Sequence, residues 1–209
     1  MLQWEAVRPE LSRVLKKVSS NPDFSEFFLV GGTALALMIG HRISVDLDFF
    51  TREEVDFKEL AKTVVKNFPE ANVFEINKGG LNVLIDGVKV DFVRHDYPFI
   101  KPLETIEGIR LLSKIDIALQ KVNAIVGRAS KKDFFDLYFL LKEYSLQEII
   151  EGYQNKYGNV YASLIIRSMM WFEDAEGQPD PEVFEKISWN HVKDSIREVI
   201  YKNANDFNA

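Results

Sequence analysis

A glycine pair closing an apolar run, with an alternating acidic segment twelve residues further on, constrains this chain more than any other feature. Phe27-Phe28-Leu29-Val30 reads as a short buried strand that ends at Gly31-Gly32. Thr33 to Ile39 has the Ala, Leu and Met content of a helix, and Gly40 is suited to its C-cap. Ser44 to Phe50 then alternates, with Val45, Leu47 and Phe49 pointing one way and Asp46 and Asp48 the other. Residues two apart on a strand share a face, so these carboxylates stand side by side. Mg²⁺ characteristically binds through one or two carboxylates plus substrate phosphates. A glycine pair next to them lets backbone N–H groups approach those phosphates. Metal-assisted chemistry on a nucleoside triphosphate is the expectation.

Asp91 is the third acid of interest. In Val88-Lys89-Val90-Asp91-Phe92-Val93 the apolar residues form one face, and Lys89 with Asp91 forms the other. If this strand lies beside the acidic one, three carboxylates converge, enough to hold two metal ions and to accept a proton from an attacking hydroxyl. Each acid alone has a plainer reading. An isolated Asp-x-Asp is commonly a solvated strand edge, and Lys89 with Asp91 is an ordinary exposed ion pair. The glycine pair ahead of Thr33 gives the chemical reading its weight.

Around these elements the periodicity predicts an amphipathic helix over 2–19, a turn of helix with Thr51 as its N-cap, a helix over 56–67, and strands over 72–76, 81–85 and 88–94. Helices are expected over 104–126, 131–143, 146–157, 161–171 and 181–203, with a solvated loop at 173–179. The fold class is therefore α+β: a mixed β-sheet flanked by helices, then a helical C-terminal half. The expected division is an α/β core over 1–100 and a helical region over 101–209, which carries a basic and acidic motif.

That motif starts on the predicted 104–126 helix. Arg110, Lys114 and Lys121 fall within about 40° of one another at 100° per residue, away from the apolar stripe. Arg128, Lys131 and Lys132 follow at the helix exit, so residues 110–142 hold seven Lys/Arg against three Asp. This basic segment sits in a chain of formal net charge −6, the pattern of a single anionic ligand site on an acidic body. Three cations on one helix face are equally a solubilising surface. Asp133 and Asp136 are neighbours at i, i+3 in an otherwise apolar segment, either favouring the helix dipole or orienting Lys121 or Arg128. His41, His95 and His191 show no ligand spacing, and Trp4, Trp171 and Trp189 read as packing residues.

Composition narrows the classes further. The absence of cysteine excludes disulfides, thiolate zinc sites and cysteine nucleophiles, and it fits a reducing cytoplasm. The N-terminus has no basic and apolar leader pattern, and the longest uncharged run, Phe27 to Gly40, is too short for a membrane span. A soluble, cytoplasmic protein is expected.

Taken together, Gly31-Gly32-Thr33, then Arg42-Ile43-Ser44-Val45-Asp46-Leu47-Asp48-Phe49-Phe50, then Lys121 with Arg128-Ala129-Ser130-Lys131-Lys132-Asp133-Phe134-Phe135-Asp136-Leu137-Tyr138, resemble the AbiEii/AbiGii toxin family of nucleotidyltransferases, within the DNA polymerase β-like superfamily. The likeness spans about residues 26–143 and none of the last sixty-odd. It implies that Gly31, Gly32 and Thr33 bind the triphosphate, and that Asp46, Asp48 and Asp91 ligate Mg²⁺, or Mn²⁺. It also implies that Lys121 and Arg128 contact phosphates, and that Asp133 and Asp136 complete the last motif. Thr33 stands where the superfamily commonly has Ser, and its distance from Asp46 is somewhat longer than usual. The implied activity moves NMP from an NTP to an acceptor hydroxyl, with a tRNA 3′ end as acceptor, a cognate antitoxin as partner, and no membrane. The residues themselves leave open a small antibiotic-type molecule or a protein as acceptor, and a non-catalytic nucleotide-binding module on the same fold.

Overall fold

A computed structural model describes residues 1–203. The chain forms two compact units. The first comprises Met1–Tyr97 and Pro102–Leu112, and the second comprises Pro98–Lys101 and the chain from Ser113 onward.

The first unit opens with a short 3₁₀ turn and helix α1 (Pro9–Ser20), whose Leu11, Val14, Leu15 and Val18 are buried. Strand β1 (Phe28–Val30) leads into α2 (Gly31–Ile39), and Gly40 closes that helix at φ +63° as its C-cap. α2 is apolar nearly all round and buried, as such a helix must be. β2 (Asp46–Thr51), α3 (Phe57–Asn67), β3 (Asn72–Ile76), β4 (Gly80–Ile85) and β5 (Val88–Arg94) follow. Thr51 ends β2 and receives the Glu53 N–H, while Asp56 caps α3 by accepting from Lys58 and Glu59.

The expected helix over 104–126 divides. Its first part is a hairpin of β6 (Glu104–Ile106) and β7 (Ile109–Leu111), and only Lys114–Arg128 is helical (α4). Glu107 and Gly108 both take positive φ, +52° and +80°, the conformation of a two-residue hairpin turn. β7 then pairs in parallel with β1, and Ser113 caps α4. Ile109 and Leu111 are buried as alternating strand residues, which a helical stripe through Ile109 and Leu112 conceals. Arg110 consequently lies on a strand, and its guanidinium donates to the carbonyls of Phe24 and Phe27.

The seven strands make one mixed sheet in the order β3-β4-β5-β2-β1-β7-β6. β2 lies parallel to β5 in the centre, with Leu47 opposite Val90, Asp48 opposite Asp91 and Phe49 opposite Phe92. The buried face of this pair carries stacked aromatics: Phe49 and Phe24 flank Phe92 at centroid distances of 5.4 and 5.7 Å. Fully burying an aromatic side chain stabilises by about 1.5–3 kcal/mol. A one-residue slip of β2 would exchange its aromatics for its acids, so this burial fixes the register of the acidic face.

The second unit continues from α4 with α5 (Lys131–Leu140), α6 (Leu146–Tyr157), α7 (Ala162–Met169), the short α8 (Glu173–Glu176) and α9 (Trp189–Lys202). Phe134, Phe135 and Phe172 surround Trp189, each centroid within 6 Å of its ring. Asp116 and Lys156, both fully buried, form an ion pair of 2.7 Å within this unit. The Asp116 carboxylate also accepts from the Ile100 and Lys101 N–H groups and the Ser113 hydroxyl. Among the described residues no helix is long and apolar enough to cross a membrane.

Candidate active site

The acids of the central strands stand where alternation places them. Asp46 and Asp48 are half-buried on either side of the fully buried Leu47, with Phe49 buried next; Asp91 is half-buried between Val90 and Phe92, while Val45, expected on the buried face, is exposed. Asp48 and Asp91 are directly paired across the parallel ladder, and Asp46 is paired with Lys89. Neighbouring strands lie about 4.8 Å apart, so these side chains are immediate neighbours on one face.

The glycine turn meets this face at one point. Gly31 has φ +68°, and a Cβ built on it would lie 2.8 Å from Asp48 Oδ2. Glycine is therefore required twice, for its conformation and for the space the carboxylate fills. Gly31, Gly32 and Thr33 form the first turn of α2, whose leading N–H groups have no partner inside the helix and are oriented for an anion. Thr33 is fully buried. Its hydroxyl donates to the Asp46 carbonyl and lies 2.8 Å from Ser44 Oγ. The hydroxyl thus pins the start of β2 to α2, and what Thr33 can present to a phosphate is its backbone.

The three acids do not form a ready-made cage: among the described residues no group of three His, Cys, Asp or Glu side chains is placed to hold an ion. Asp91 explains why. Asn82, on the adjoining β4, donates to its Oδ1 at 2.6 Å, and Lys89 donates to its Oδ2 at 2.5 Å. The Lys89 ammonium is held above the ordinary lysine pKa, chiefly by that hydrogen bond; its partial burial opposes the rise, and the charges of Asp91, Asp48 and Asp46 add to it. Asn82 was not among the expected site residues, although its place between Leu81 and Val83 on an alternating strand is the signal that would find it.

A divalent ion nonetheless fits the donor set. Two adjacent carboxylates offer hard oxygens on one face, Asp48 packs directly against the Gly31 turn, and the remaining positions around Mg²⁺ suit phosphate and water. Gly31→Ala is expected to displace the Asp48 carboxylate and to strain the turn by about 1–2 kcal/mol. Its predicted signature is a loss of transfer rate of about 10²-fold, the scale of a 1 Å misplacement, with a modest fall in Tm. Initial rates and a thermal melt check both.

The other expected site residues gather separately, in the second unit. Lys121, only 6% exposed, bridges Asp133 at 2.9 Å and Asp136 at 2.7 Å. Arg128 Nε lies 3.7 Å from Asp133 Oδ2, so two cations meet two fully buried carboxylates. The pairing of these acids with Lys121 and Arg128 is the one their spacing suggests. The Lys121 charge is committed to them rather than left bare for a ligand. The basic run as a whole is similarly occupied: Lys114 pairs with Glu143, Lys131 with Asp180 and Lys142 with Glu185. Arg128 faces outward, its side chain 69% exposed.

Arg128 opens onto a groove of about 240 Å³ lined also by Val126, Leu164, Arg167 and Trp171. Trp171 is 44% exposed, and so it is not the packing residue its type suggests. Trp189 is one.

A mixed sheet with a diglycine helix start against paired carboxylates, and a helical second unit, is the α+β architecture of the nucleotidyltransferases. The family described as nucleotidyl transferase AbiEii toxin, type IV TA system, matches residues 13–201. The uncharacterized protein aq_aa25 of Aquifex aeolicus (strain VF5) is 35% identical over 198 residues, 91% of this chain and 94% of its own length. Two solved structures share the fold. JHP933 from Helicobacter pylori has a TM-score of 0.58 at 17% identity over 99% of this chain and 96% of its own. The nucleotidyltransferase toxin MenT4 of Mycobacterium tuberculosis has a TM-score of 0.59 at 13% identity, over 92% of this chain and 84% of its own. The chain belongs to the AbiEii nucleotidyltransferase toxin family. It is therefore a nucleotidyltransferase, and the family implies an NTP substrate and an antitoxin counterpart.

Proposed function

We propose that this protein is the toxin of an AbiEii-type system and transfers NMP from an NTP to an RNA 3′ hydroxyl, with tRNA as the acceptor and Mg²⁺ as the metal. The observation that carries the reading is the direct pairing of Asp48 with Asp91 beside Gly31. Asp48 and Asp91, with Asp46 at the edge of the set, would hold the divalent ion, which when bound neutralises phosphate charge. The N–H groups of Gly31, Gly32 and Thr33 orient the triphosphate tail. Asp91 takes the proton of the acceptor hydroxyl. The acceptor oxygen forms a bond to the α-phosphorus as the bond to the bridging oxygen breaks, and pyrophosphate carries away that electron pair. Such catalysis is mostly positioning and charge neutralisation. Lys121, fixed by Asp133 and Asp136, orders the start of α5 and with it the Arg128 side chain.

The groove in the helical unit supports a nucleic-acid acceptor. An exposed tryptophan flanked by two arginines offers a stacking surface for a base and cations for the adjoining phosphates, the combination that binds single-stranded ends. Trp171→Ala is expected to raise KM for RNA by about tenfold with kcat nearly unchanged, since base stacking contributes about 1–3 kcal/mol. Arg167→Glu should also flatten the salt dependence of RNA binding. Incubation with each α-labelled NTP and a mixed tRNA pool, resolved on a gel, tests activity, base choice and acceptor together. Label on tRNA supports the reading, and label on protein or on small molecules alone refutes the RNA acceptor.

A further inference from the structure

The carboxylate face carries one charge that the proposed chemistry does not use. Lys89 projects from β5 on the same face as Asp91, two residues before it, and stands opposite Asp46 in the ladder. Its ammonium is 2.5 Å from Asp91 Oδ2, and its side chain is 51% exposed. Three acids crowded on adjoining strands repel one another unless a cation sits among them. Lys89 supplies that cation from within the chain. Together with Asn82 it occupies both oxygens of Asp91, one of the two carboxylates that pair across the centre of the face.

We propose that Lys89 is a resident counter-cation of the active site, holding Asp91 in the metal-free enzyme and competing with the divalent ion for that carboxylate. The proposal rests on the reading of Asp48 and Asp91 as metal ligands. The exchange is one cation for another, and a half-exposed lysine on a flexible four-carbon stem swings aside readily. Before nucleotide arrives the site has little need of a second cation, so metal alone binds weakly. Once a triphosphate adds its own negative charge, the ion and the released ammonium both have partners. Lys89 thereby couples metal affinity to nucleotide binding, because a site that is competent only when the lysine has left has its apparent affinity lowered by that fraction.

Mn²⁺ binding, read from the loss of the free-ion paramagnetic resonance signal, tests this on the wild type and on K89M, K89R, D48N and D91N. Without nucleotide, K89M should bind Mn²⁺ about tenfold more tightly than wild type, and K89R should stay within about twofold of it. The advantage of K89M should shrink when a non-hydrolysable α,β-methylene NTP is present. In thermal melts, metal-free K89M should unfold below the wild type and gain more from added Mn²⁺. Equal Mn²⁺ affinity in wild type and K89M, with D48N and D91N weakening both, would overturn the counter-cation role and leave the metal site standing. Mn²⁺ binding indifferent to D48N and D91N would overturn both.

Discussion

Asp48→Asn is expected to lower kcat for nucleotidyl transfer by about 10³-fold or more, the equivalent of ~4 kcal/mol of lost transition-state stabilisation. The substitution keeps the shape of the side chain and removes the charge at the point where β2, β5 and the Gly31 turn meet. Leu47 and Phe49 hold the strand from its other face, so the fold should survive, with a Tm near that of the wild type. The loss should appear in kcat rather than in KM for the acceptor. Asp46→Asn should cost less, because Asp46 lies opposite Lys89 rather than Asp91. Single-turnover rates on both variants check the ranking.

The second large effect is on stability. Lys156→Met is expected to destabilise the protein by about 3–5 kcal/mol, because it strands a buried carboxylate whose cation is gone. Lys156 Nζ donates to Asp116 at 2.7 Å and to the Pro98 carbonyl at 2.6 Å, so two buried acceptors lose their donor at once. The pH dependence has a definite sign. Burial pushes the Asp116 carboxyl up, but hydrogen bonds from Lys156, the Ile100 N–H, the Ser113 hydroxyl and the Lys101 N–H outweigh it and hold the carboxyl below its ordinary value. A carboxyl depressed in the folded state stabilises it above the unfolded pKa, about 3.9, and that stability is lost as the pH falls through the lower folded value. The gap between wild type and K156M should therefore be widest near neutrality and narrow in acid. Urea melts at several pH values measure it directly.

Much of this protein is legible in its sequence because the acidic strand obeys one rule. Where apolar and polar residues alternate strictly, as from Asp46 to Phe49 and from Val88 to Phe92, the faces and the register follow from burial alone. Gly40 was an equally plain signal as the C-cap of α2, and the bounds expected for α6, 146–157, are those observed, whereas Thr51 ends β2 and caps no helix. The hairpin at Glu104–Leu111 was not, because its two strands of three residues each are too short to show alternation. The turn also depends on Glu107, a residue with no strong preference for positive φ. Glu107 is held there by contacts distant in sequence, its carboxylate accepting from the Leu2 N–H and the Trp4 indole. Charge was the least legible property. Counting Lys and Arg over 110–142 predicts a free basic surface, yet Arg110, Lys114, Lys121 and Lys131 each satisfy a carbonyl or carboxylate elsewhere in their unit. Periodicity reports which face a residue is on and says nothing about which partner meets it there. For the same reason the exposed Trp171 could be recognised only once the elements around it were in place.

The most direct test is crystallographic: anomalous diffraction from crystals soaked with Mn²⁺ and a non-hydrolysable NTP analogue. The geometry predicts a peak within ligand distance of both Asp48 and Asp91, with the triphosphate tail over the Gly31–Thr33 turn. Density for the nucleotide at that turn with the metal peak elsewhere, or a peak unchanged in D48N crystals, would contradict it.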